Sequence, residues 1–335
     1  MAITIIIPLY NAEKTIRKCL NSIFESEFDN KFEVIVVNDG TKDNSLDIVK
    51  EFDVKIINQP NKGAAAAKNN GAHNAETDLI MFLDSDVILY KDTLQKIYNH
   101  LIKEDVDYVS VRYSKKPANN KWIHKYKALA DYCYTYEFIF TKEQKSKPIK
   151  QVVLTGGLEG YKKKVFEELG GFDNKIKGAD VEEEKLISKL FKKYHMLSDG
   201  NIKTKHHFPN FKSLVKAYYS RTKNSMELIE ENDYSQPYLK KNLIRTFLGG
   251  LTTSALVISL ILFFTLNLIF PFYITGGIFL IFILKHLKMY IIALKEYNVL
   301  FSIYSLIMSL FFANVICFAG FIGVIKNKLK NEKIS

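Results

Sequence analysis

The chain opens on short apolar runs, each stopped by polar or turn-forming residues. Residues 3–7 are mostly β-branched and end at Pro8, with Tyr10 and Asn11 in the turn that follows. Residues 32–37 end in Asn38-Asp39-Gly40-Thr41, residues 54–57 form a third run, and residues 79–83 stop at Asp84-Ser85-Asp86. Such runs read as buried strands, although a short buried helix has the same periodicity. Between them the spacing becomes helical. Ile16, Leu20, Ile23 and Phe24 stripe residues 13–24, and Leu46 and Val49 mark residues 43–51 behind an Asn44 or Ser45 cap. Residues 63–75 are Ala-rich and start at a glycine. A helix over 91–101 and a strand over 108–111 are expected next. Strands alternating with helices at this spacing predict βαβ units in a mostly parallel sheet flanked by helices, with ligands outside the carboxyl ends of the strands.

Further on the pattern loosens. Residues 113–150 are rich in lysine and aromatics with no clear period. Amphipathic helix packing explains that, and so does an acceptor-side or membrane-surface segment. Residues 211–229 form a basic amphipathic helix that suits a membrane face or packing on the preceding domain. From 246 to 284, and again from 297 to 325, no residue is charged. Either run exceeds the roughly 20 apolar residues that span a bilayer. At 1.5 Å per residue the first would extend about 58 Å as one helix, twice a bilayer core. Pro271 divides it, which predicts a hairpin of helices over 247–268 and 271–292, with another span over 299–325. The expected organisation is therefore a first domain over 1–225, a juxtamembrane linker over 226–245, two or three membrane helices over 246–325, and a basic tail over 326–335.

Candidate chemistry starts at Asp84 and Asp86. Carboxylates at i and i+2 at a strand end point to one side, repel each other and resist burial. A divalent cation resolves this, and all-oxygen ligands suit Mg²⁺ or Mn²⁺. The plainer reading is a polar turn. A dinucleotide fold is not indicated, because no G-x-G-x-x-G follows the first strand.

Charge and cysteines change this picture little. The formal net charge is +11. No helix-turn-helix, RNA-binding aromatic motif or zinc spacing accompanies it, so nucleic acid is not an expected partner. Basic residues beside apolar spans follow the positive-inside rule. The three cysteines, Cys19, Cys133 and Cys317, are scattered and form no disulfide framework. Residues 3–7 are too short for the apolar core of a signal peptide. The expectation is a multi-pass protein of the cell membrane with its first domain in the cytoplasm.

Four motifs stand in order: Ile7-Pro8-Leu9-Tyr10-Asn11, then Val37-Asn38-Asp39-Gly40-Thr41-Lys42-Asp43-Asn44-Ser45, then Asn61-Lys62-Gly63 with Lys68-Asn69 and Gly71, then Phe82-Leu83-Asp84-Ser85-Asp86. Over about residues 3–225 this order resembles the family 2 glycosyltransferases, which have the GT-A (nucleotide-diphospho-sugar transferase) fold. The resemblance implies that Asp39 hydrogen-bonds the nucleotide base, in a pocket lined by Pro8, Tyr10 and Asn11. It implies that Lys68, where the family commonly has arginine, lies near the nucleotide and sugar. Asp84 and Asp86 match the family's Asp-x-Asp and are both candidate metal ligands, with Asp86 the more direct and Asp84 also near the donor. Asn38 departs from a common aspartate, and Lys68 offers a point charge instead of a bidentate fork.

The later segments Gly156-Gly157, Gly170-Gly171-Phe172-Asp173 and Gly178-Ala179-Asp180-Val181-Glu182 resemble the second half of the same family. There Gly157 would face the sugar and Asp180 would be the general base, with Glu182 in reserve. Ala179 stands where the family often has glutamate. Asp180 is equally a good helix N-cap, and both roles are compatible. His207 would be a third metal ligand, and Arg221 would reach the diphosphate. The implied activity is inverting transfer of a sugar from a nucleotide-diphosphate donor, with a UDP-sugar expected, to a lipid-linked glycan or polyprenyl-phosphate acceptor. A processive polysaccharide synthase is the near rival, although no Gln-x-x-Arg-Trp motif is present. A non-catalytic membrane scaffold that kept the fold is the rival from another class.

Overall fold

The computed structural model describes residues 2–103, 105–139, 157–174, 186–187, 189–190, 193–227, 237–266 and 268–331. The chain divides into two compact units, Met1–Phe208 and Pro209–Ser335.

The first unit is built on a sheet that, among the described residues, has eight strands in the order β3-β2-β1-β4-β7-β6-β8-β5. The strands are β1 (Ala2–Leu9), β2 (Lys31–Asp39), β3 (Lys55–Gln59), β4 (Leu79–Leu83), β5 (Val87–Leu89), β6 (Tyr108–Tyr113), β7 (Leu158–Lys162) and β8 (Met196–His206). The first four are parallel, as the βαβ spacing predicts. Beyond β4 the sheet is mixed, with β7 antiparallel to both β4 and β6, β8 parallel to β6, and β5 antiparallel to β8.

The continuous apolar character of β1 follows from burial on both faces. Successive side chains alternate between faces. Ile3, Ile5, Ile7 and Leu9 join one core with Ile16, Leu20 and Ile23 of α1 (Ile16–Phe24) and Leu94 and Ile97 of α4 (Thr93–Leu101). Ile6 joins the opposite core, with Ile35, Val37, Ile80 and Phe82. The short helix α2 (Ser45–Val49) connects β2 to β3. α3 (Ala64–His73) covers the second face through Ala65, Ala67 and Ala72.

Small residues let α3 sit close to the sheet. A Cβ on Gly71 would come within 2.3 Å of Ile6 Cγ2 and 3.2 Å of Val37 Cγ2. Gly71→Ala is therefore expected to cost about 1–3 kcal/mol through overpacking. Thermal unfolding of purified protein would check it, and an unchanged midpoint would contradict the packing.

α5 (Trp122–Ile139) occupies the aromatic stretch that had no clear period. Ile123, Tyr126, Ala128, Leu129 and Ala130 are buried along it, in keeping with helix packing. α6 (Lys163–Glu168) follows β7 directly. The expected strand over 108–111 is longer, and β5, β7 and β8 have no counterpart among the expected strands.

The second unit contains α7 (Phe211–Glu227), α8 (Pro237–Leu266), α9 (Phe270–Glu296) and α10 (Val299–Asn331). The basic helix α7 therefore belongs to this unit. Its Phe211 and Tyr218 rings lie 5.2 and 4.7 Å from Phe311 and Phe312 of α10. The hairpin falls at the predicted place, between Leu266 and Phe270. Among the described residues Phe270–Glu296 and Val299–Lys326 are long and apolar enough to cross a membrane, and Gly250–Leu266 is a shorter apolar helix. Polar groups pair between helices here. Thr253 Oγ1 donates to Asn314 Oδ1 at 2.7 Å, Ser259 and Thr275 hydroxyls meet at 2.8 Å, and Ser302 Oγ donates to the Tyr290 carbonyl at 3.1 Å. Such pairs join helices where apolar contact alone gives little preference. Asn267 lies outside the described residues.

Candidate active site

The parallel strands β1 to β4 end at one edge, and the loops beyond them are tied to one another. Asn11 adopts a left-handed backbone, φ 50°, and its N–H donates to Thr41 Oγ1 at 2.8 Å. Its side-chain oxygen accepts the Lys42 N–H at 2.9 Å. The Ala12 and Glu13 N–H groups donate to Ser45 Oγ and Asp43 Oδ2 at 2.8 and 3.0 Å. Asp43 also accepts from the Ser45 hydroxyl. Burial pushes the Asp43 carboxyl up, but the bonds from Ser45, Glu13 and Thr41 outweigh it and hold the group below its usual value. The turn after β1 is thus held against the turn after β2. Pro8 is partly buried in β1, while Tyr10 stands 46% exposed above it.

Asp39 closes β2 and is buried. Its Oδ1 accepts from Gln59 Nε2 and the Lys62 N–H, both at 2.8 Å, and its Oδ2 accepts the Gly63 N–H at 2.9 Å. These bonds fix the loop that starts α3. Gly63 sits there at φ 96°, a conformation that favours glycine. A carboxylate has about four acceptor positions, so three donors leave one for a ligand. Asn38 shapes the same edge, donating to Asn58 Oδ1 and accepting the Thr41 N–H.

Two strand spacings away, about 10 Å, β4 ends at Asp84. Lys68, on the second turn of α3, is buried and places Nζ 3.3 Å from Asp84 Oδ1. The same ammonium lies 5.5 Å from the Phe172 ring centroid. The Asp84 N–H donates to the Gly157 carbonyl at 2.9 Å. Gly157 has φ 91°, and a Cβ there would meet Val87 Cγ2 at 2.4 Å and Asp84 Oδ2 at 3.4 Å. Only glycine lets this turn approach Asp84 so closely.

Asp86 has its own partner. His206 Nε2 donates to Asp86 Oδ1 at 3.1 Å. The His206 ring is walled by Phe208 and Tyr113, at centroid distances of 4.4 and 4.8 Å. His207 reaches Asp86 through its backbone, its N–H donating to the Asp86 carbonyl at 2.9 Å. Burial pushes the Asp86 carboxyl up, yet His206 first and then His207 hold it below its ordinary value. Beneath the pair, the buried Cys19 thiol lies 3.6 Å from the Asp84 carbonyl, and burial, Asp86 and Asp84 all push its pKa up. That thiol is not a nucleophile.

The fold therefore gathers Lys68, Asp84, Asp86 and Gly157 into one constellation, with Pro8, Tyr10, Asn11 and Asp39 along the same edge. His206, not singled out from sequence, is the histidine whose ring meets Asp86. Asn69, beside Lys68, was also missed. It donates to the Phe172 carbonyl at 2.8 Å and to Asn174 Oδ1 at 2.9 Å, and accepts the Phe172 N–H at 2.9 Å. Gly170 and Gly171, at φ 82° and 66°, make the turn that allows this. Asp180 and Glu182 lie outside the described residues. Arg221 is exposed on α7, in the second unit.

Among the described residues no group of three or more His, Cys, Asp or Glu side chains converges on a metal position. Asp84 and Asp86, each about a third exposed, are the hard-oxygen donors present. They fit a cation of the Mg²⁺ or Mn²⁺ type that draws its remaining ligands from substrate phosphates and water.

A family model described as Glycosyl transferase family 2 matches residues 4–170. The chain is 38% identical over 110 residues to Glycosyltransferase GlyA of Streptococcus pneumoniae, a stretch covering 31% of this chain and 16% of that protein. It is 31% identical over 137 residues to Glycosyltransferase GlyG of the same organism, covering 39% of this chain and 45% of that one. The matched stretch thus spans less than half the length of either relative. Among solved structures, the mannosyltransferase PcManGT from Pyrobaculum calidifontis, in complex with GDP-Man and Mn²⁺, superposes with a TM-score of 0.57 at 15% identity, covering 95% of this chain and 86% of that one. That likeness establishes a common GT-A fold. Residues 4–170 are therefore a glycosyl transferase family 2 domain.

Proposed function

We propose that this glycosyltransferase is membrane-anchored, metal-dependent and inverting, and that it moves a sugar from a nucleotide-diphosphate donor, a UDP-sugar in the first instance, to a lipid-linked glycan or polyprenyl phosphate. The observation that carries the reading is the constellation at the carboxyl edge of the sheet. There Lys68, Asp84, Asp86 and His206 adjoin an edge built from Pro8, Tyr10, Asn11 and Asp39. The nucleotide base lies over the β1 and β2 ends, where Asp39 keeps one acceptor position open. Asp84 and Asp86 hold the divalent cation, which supplies charge neutralisation for the diphosphate leaving group. Lys68 adds a buried positive charge beside it.

On a lipid-linked glycan Asp180 takes the proton from the acceptor hydroxyl, whereas a phosphate oxygen would attack already ionised. Support comes from the resemblance of Gly178-Ala179-Asp180-Val181-Glu182 to the family's second-half motif. With one base, the acceptor oxygen attacks the anomeric carbon as the diphosphate leaves from the opposite face, so configuration inverts. Apolar helices α8 to α10 anchor the chain, with the catalytic domain in the cytoplasm. They bring it to an acceptor that itself resides in the bilayer.

The test is transfer by the full chain in native-lipid membranes, assayed with a panel of UDP- and GDP-sugars. Transfer from at least one donor is expected, abolished by chelator and restored by Mn²⁺ or Mg²⁺. Turnover that is indifferent to chelator would overturn the metal role. Absence of turnover with every donor would favour a scaffold.

A further inference from the structure

Tyr113 closes β6 at the edge that holds the aspartate pair. β4 and β6 are each antiparallel to β7, so they run the same way and end at one edge. Tyr113 therefore stands two strands from Asp84, with Gly157, just ahead of β7, between them. Its hydroxyl lies 3.4 Å from the position that a Cβ on Gly157 would take, and Asp84 Oδ2 is also 3.4 Å from that position. Its ring packs against His206 and Phe208, at centroid distances of 4.8 and 5.8 Å. One side chain thus meets the turn beside Asp84 with its polar tip and the partner of Asp86 with its ring. The backbone that carries it is pinned. The Ser114 N–H donates to the Thr204 carbonyl at 2.7 Å, and Ser114 Oγ accepts from the Tyr90 hydroxyl and from the Lys116 N–H, both at 3.0 Å. Tyr113 packs on the core below it, yet part of its surface stays accessible. A phenol held this firmly beside a site suits contact with a ligand.

The order of the strands decides which part of the donor comes here. The nucleotide edge lies at β2 and β1, the paired carboxylates follow β4, and β7 and β6 come next. A nucleotide-diphosphate sugar has its parts in the same sequence: nucleoside, diphosphate, sugar. Laid from β2 with its diphosphate at Asp84 and Asp86, it carries its sugar toward Gly157 and Tyr113. A sugar presents hydroxyls, and a phenol can both donate and accept a hydrogen bond. Epimers differ only in where a hydroxyl points, so a partner fixed in place tells them apart.

We propose that Tyr113 is a specificity-determining residue whose hydroxyl hydrogen-bonds a hydroxyl of the transferred sugar. This rests on the transferase reading above, with the donor lying across the strand ends in that order.

The full chain, purified in detergent with Mn²⁺, would be titrated by calorimetry with UDP, UDP-glucose, UDP-galactose, UDP-N-acetylglucosamine and UDP-N-acetylgalactosamine, and with GDP, GDP-mannose and GDP-glucose. Transfer from each donor would be followed in native-lipid membranes. Wild type is expected to favour one sugar over the others on the same nucleotide. Tyr113→Phe keeps the ring against His206 and removes only the hydroxyl. It should cut that preference about three- to tenfold, in affinity and in kcat/KM, with free-nucleotide affinity and the Mn²⁺ response unchanged. Tyr90→Phe removes a neighbouring hydroxyl whose partner is Ser114, and it should leave the preference as it is. A wild type with no preference, or a preference unchanged in Tyr113→Phe, would overturn the proposal. So would an equal loss for every donor and for the free nucleotide, which marks a structural role, or the same loss of preference in Tyr90→Phe. A wild type that binds nucleotide and prefers one sugar, with Tyr113→Phe indifferent, would remove this assignment and leave the transferase reading standing. A wild type that binds no nucleotide would defeat both.

Discussion

Asp86→Asn is expected to lower sugar transfer by about 10³-fold, equivalent to roughly 4 kcal/mol of transition-state stabilisation. Asparagine keeps the size of the side chain and an oxygen that can accept from His206 Nε2, so the loop should stay in place. What it loses is the charge that a divalent cation needs from its protein ligand. The defect should therefore appear as lost metal dependence. Titrating Mn²⁺ into wild type should restore chelated enzyme to full rate, whereas the variant should respond weakly even at high Mn²⁺. His206→Ala should fall between, at about 10- to 100-fold, because it removes the partner that orients the carboxylate. Parallel assays of both variants, with thermal unfolding to confirm the fold, would check this. An Asp86→Asn enzyme that turns over like wild type would show that the cation is held elsewhere or not at all.

Asp180→Asn should reduce the rate by about 10² to 10⁴, the usual contribution of a general base. Its signature differs from that of Asp86. Donor affinity and Mn²⁺ response should be preserved, because the proposed base acts on the acceptor hydroxyl and not on the diphosphate. The loss should fall on kcat, with the KM for the nucleotide sugar little changed. Glu182→Gln is the matched control and should retain most activity. If Glu182→Gln is dead and Asp180→Asn is active, the base has been misassigned by two positions. If the acceptor is a phosphate oxygen, already ionised at neutral pH, neither substitution should matter much.

The alternation of strand and helix up to residue 101 could be read from the chain because the signals there are local. The β1, β2 and β4 runs are apolar on both faces and end in Pro8, Asn38-Asp39-Gly40 and Asp84-Ser85-Asp86, which are strong stops. β8 could not be read that way. Met196–His206 carries Asp199-Gly200-Asn201 in its middle, which looks like a turn, and has few apolar residues. It is held as a strand by pairing with β6, across an irregularity between Ser110 and Arg112. That omission had a consequence at the site. His206 closes β8 and its ring meets Asp86, whereas His207 lies just beyond the strand and meets Asp86 through its backbone N–H. Without the strand there was no basis for choosing His206. Lys68 was hard to place for another reason. Lysine in an arginine position suggests a loose contact, yet burial on α3 aims its single charge at Asp84. In the helical unit the break before Phe270 followed from Pro271, but α8 starts at Pro237, well before the uncharged run. Lys240, Lys241 and Arg245 are good helix formers, and apolarity alone does not mark where a helix begins.

Lys68 and His206 give each of the paired aspartates a nitrogen of its own before any ion arrives. Two bare carboxylates on adjoining turns would strain against each other and loosen the loop between β4 and β5. Here the loop takes its shape from groups the chain carries itself. On the proposed cation role, withdrawing magnesium or manganese should silence transfer while these two pairings keep the loop in place.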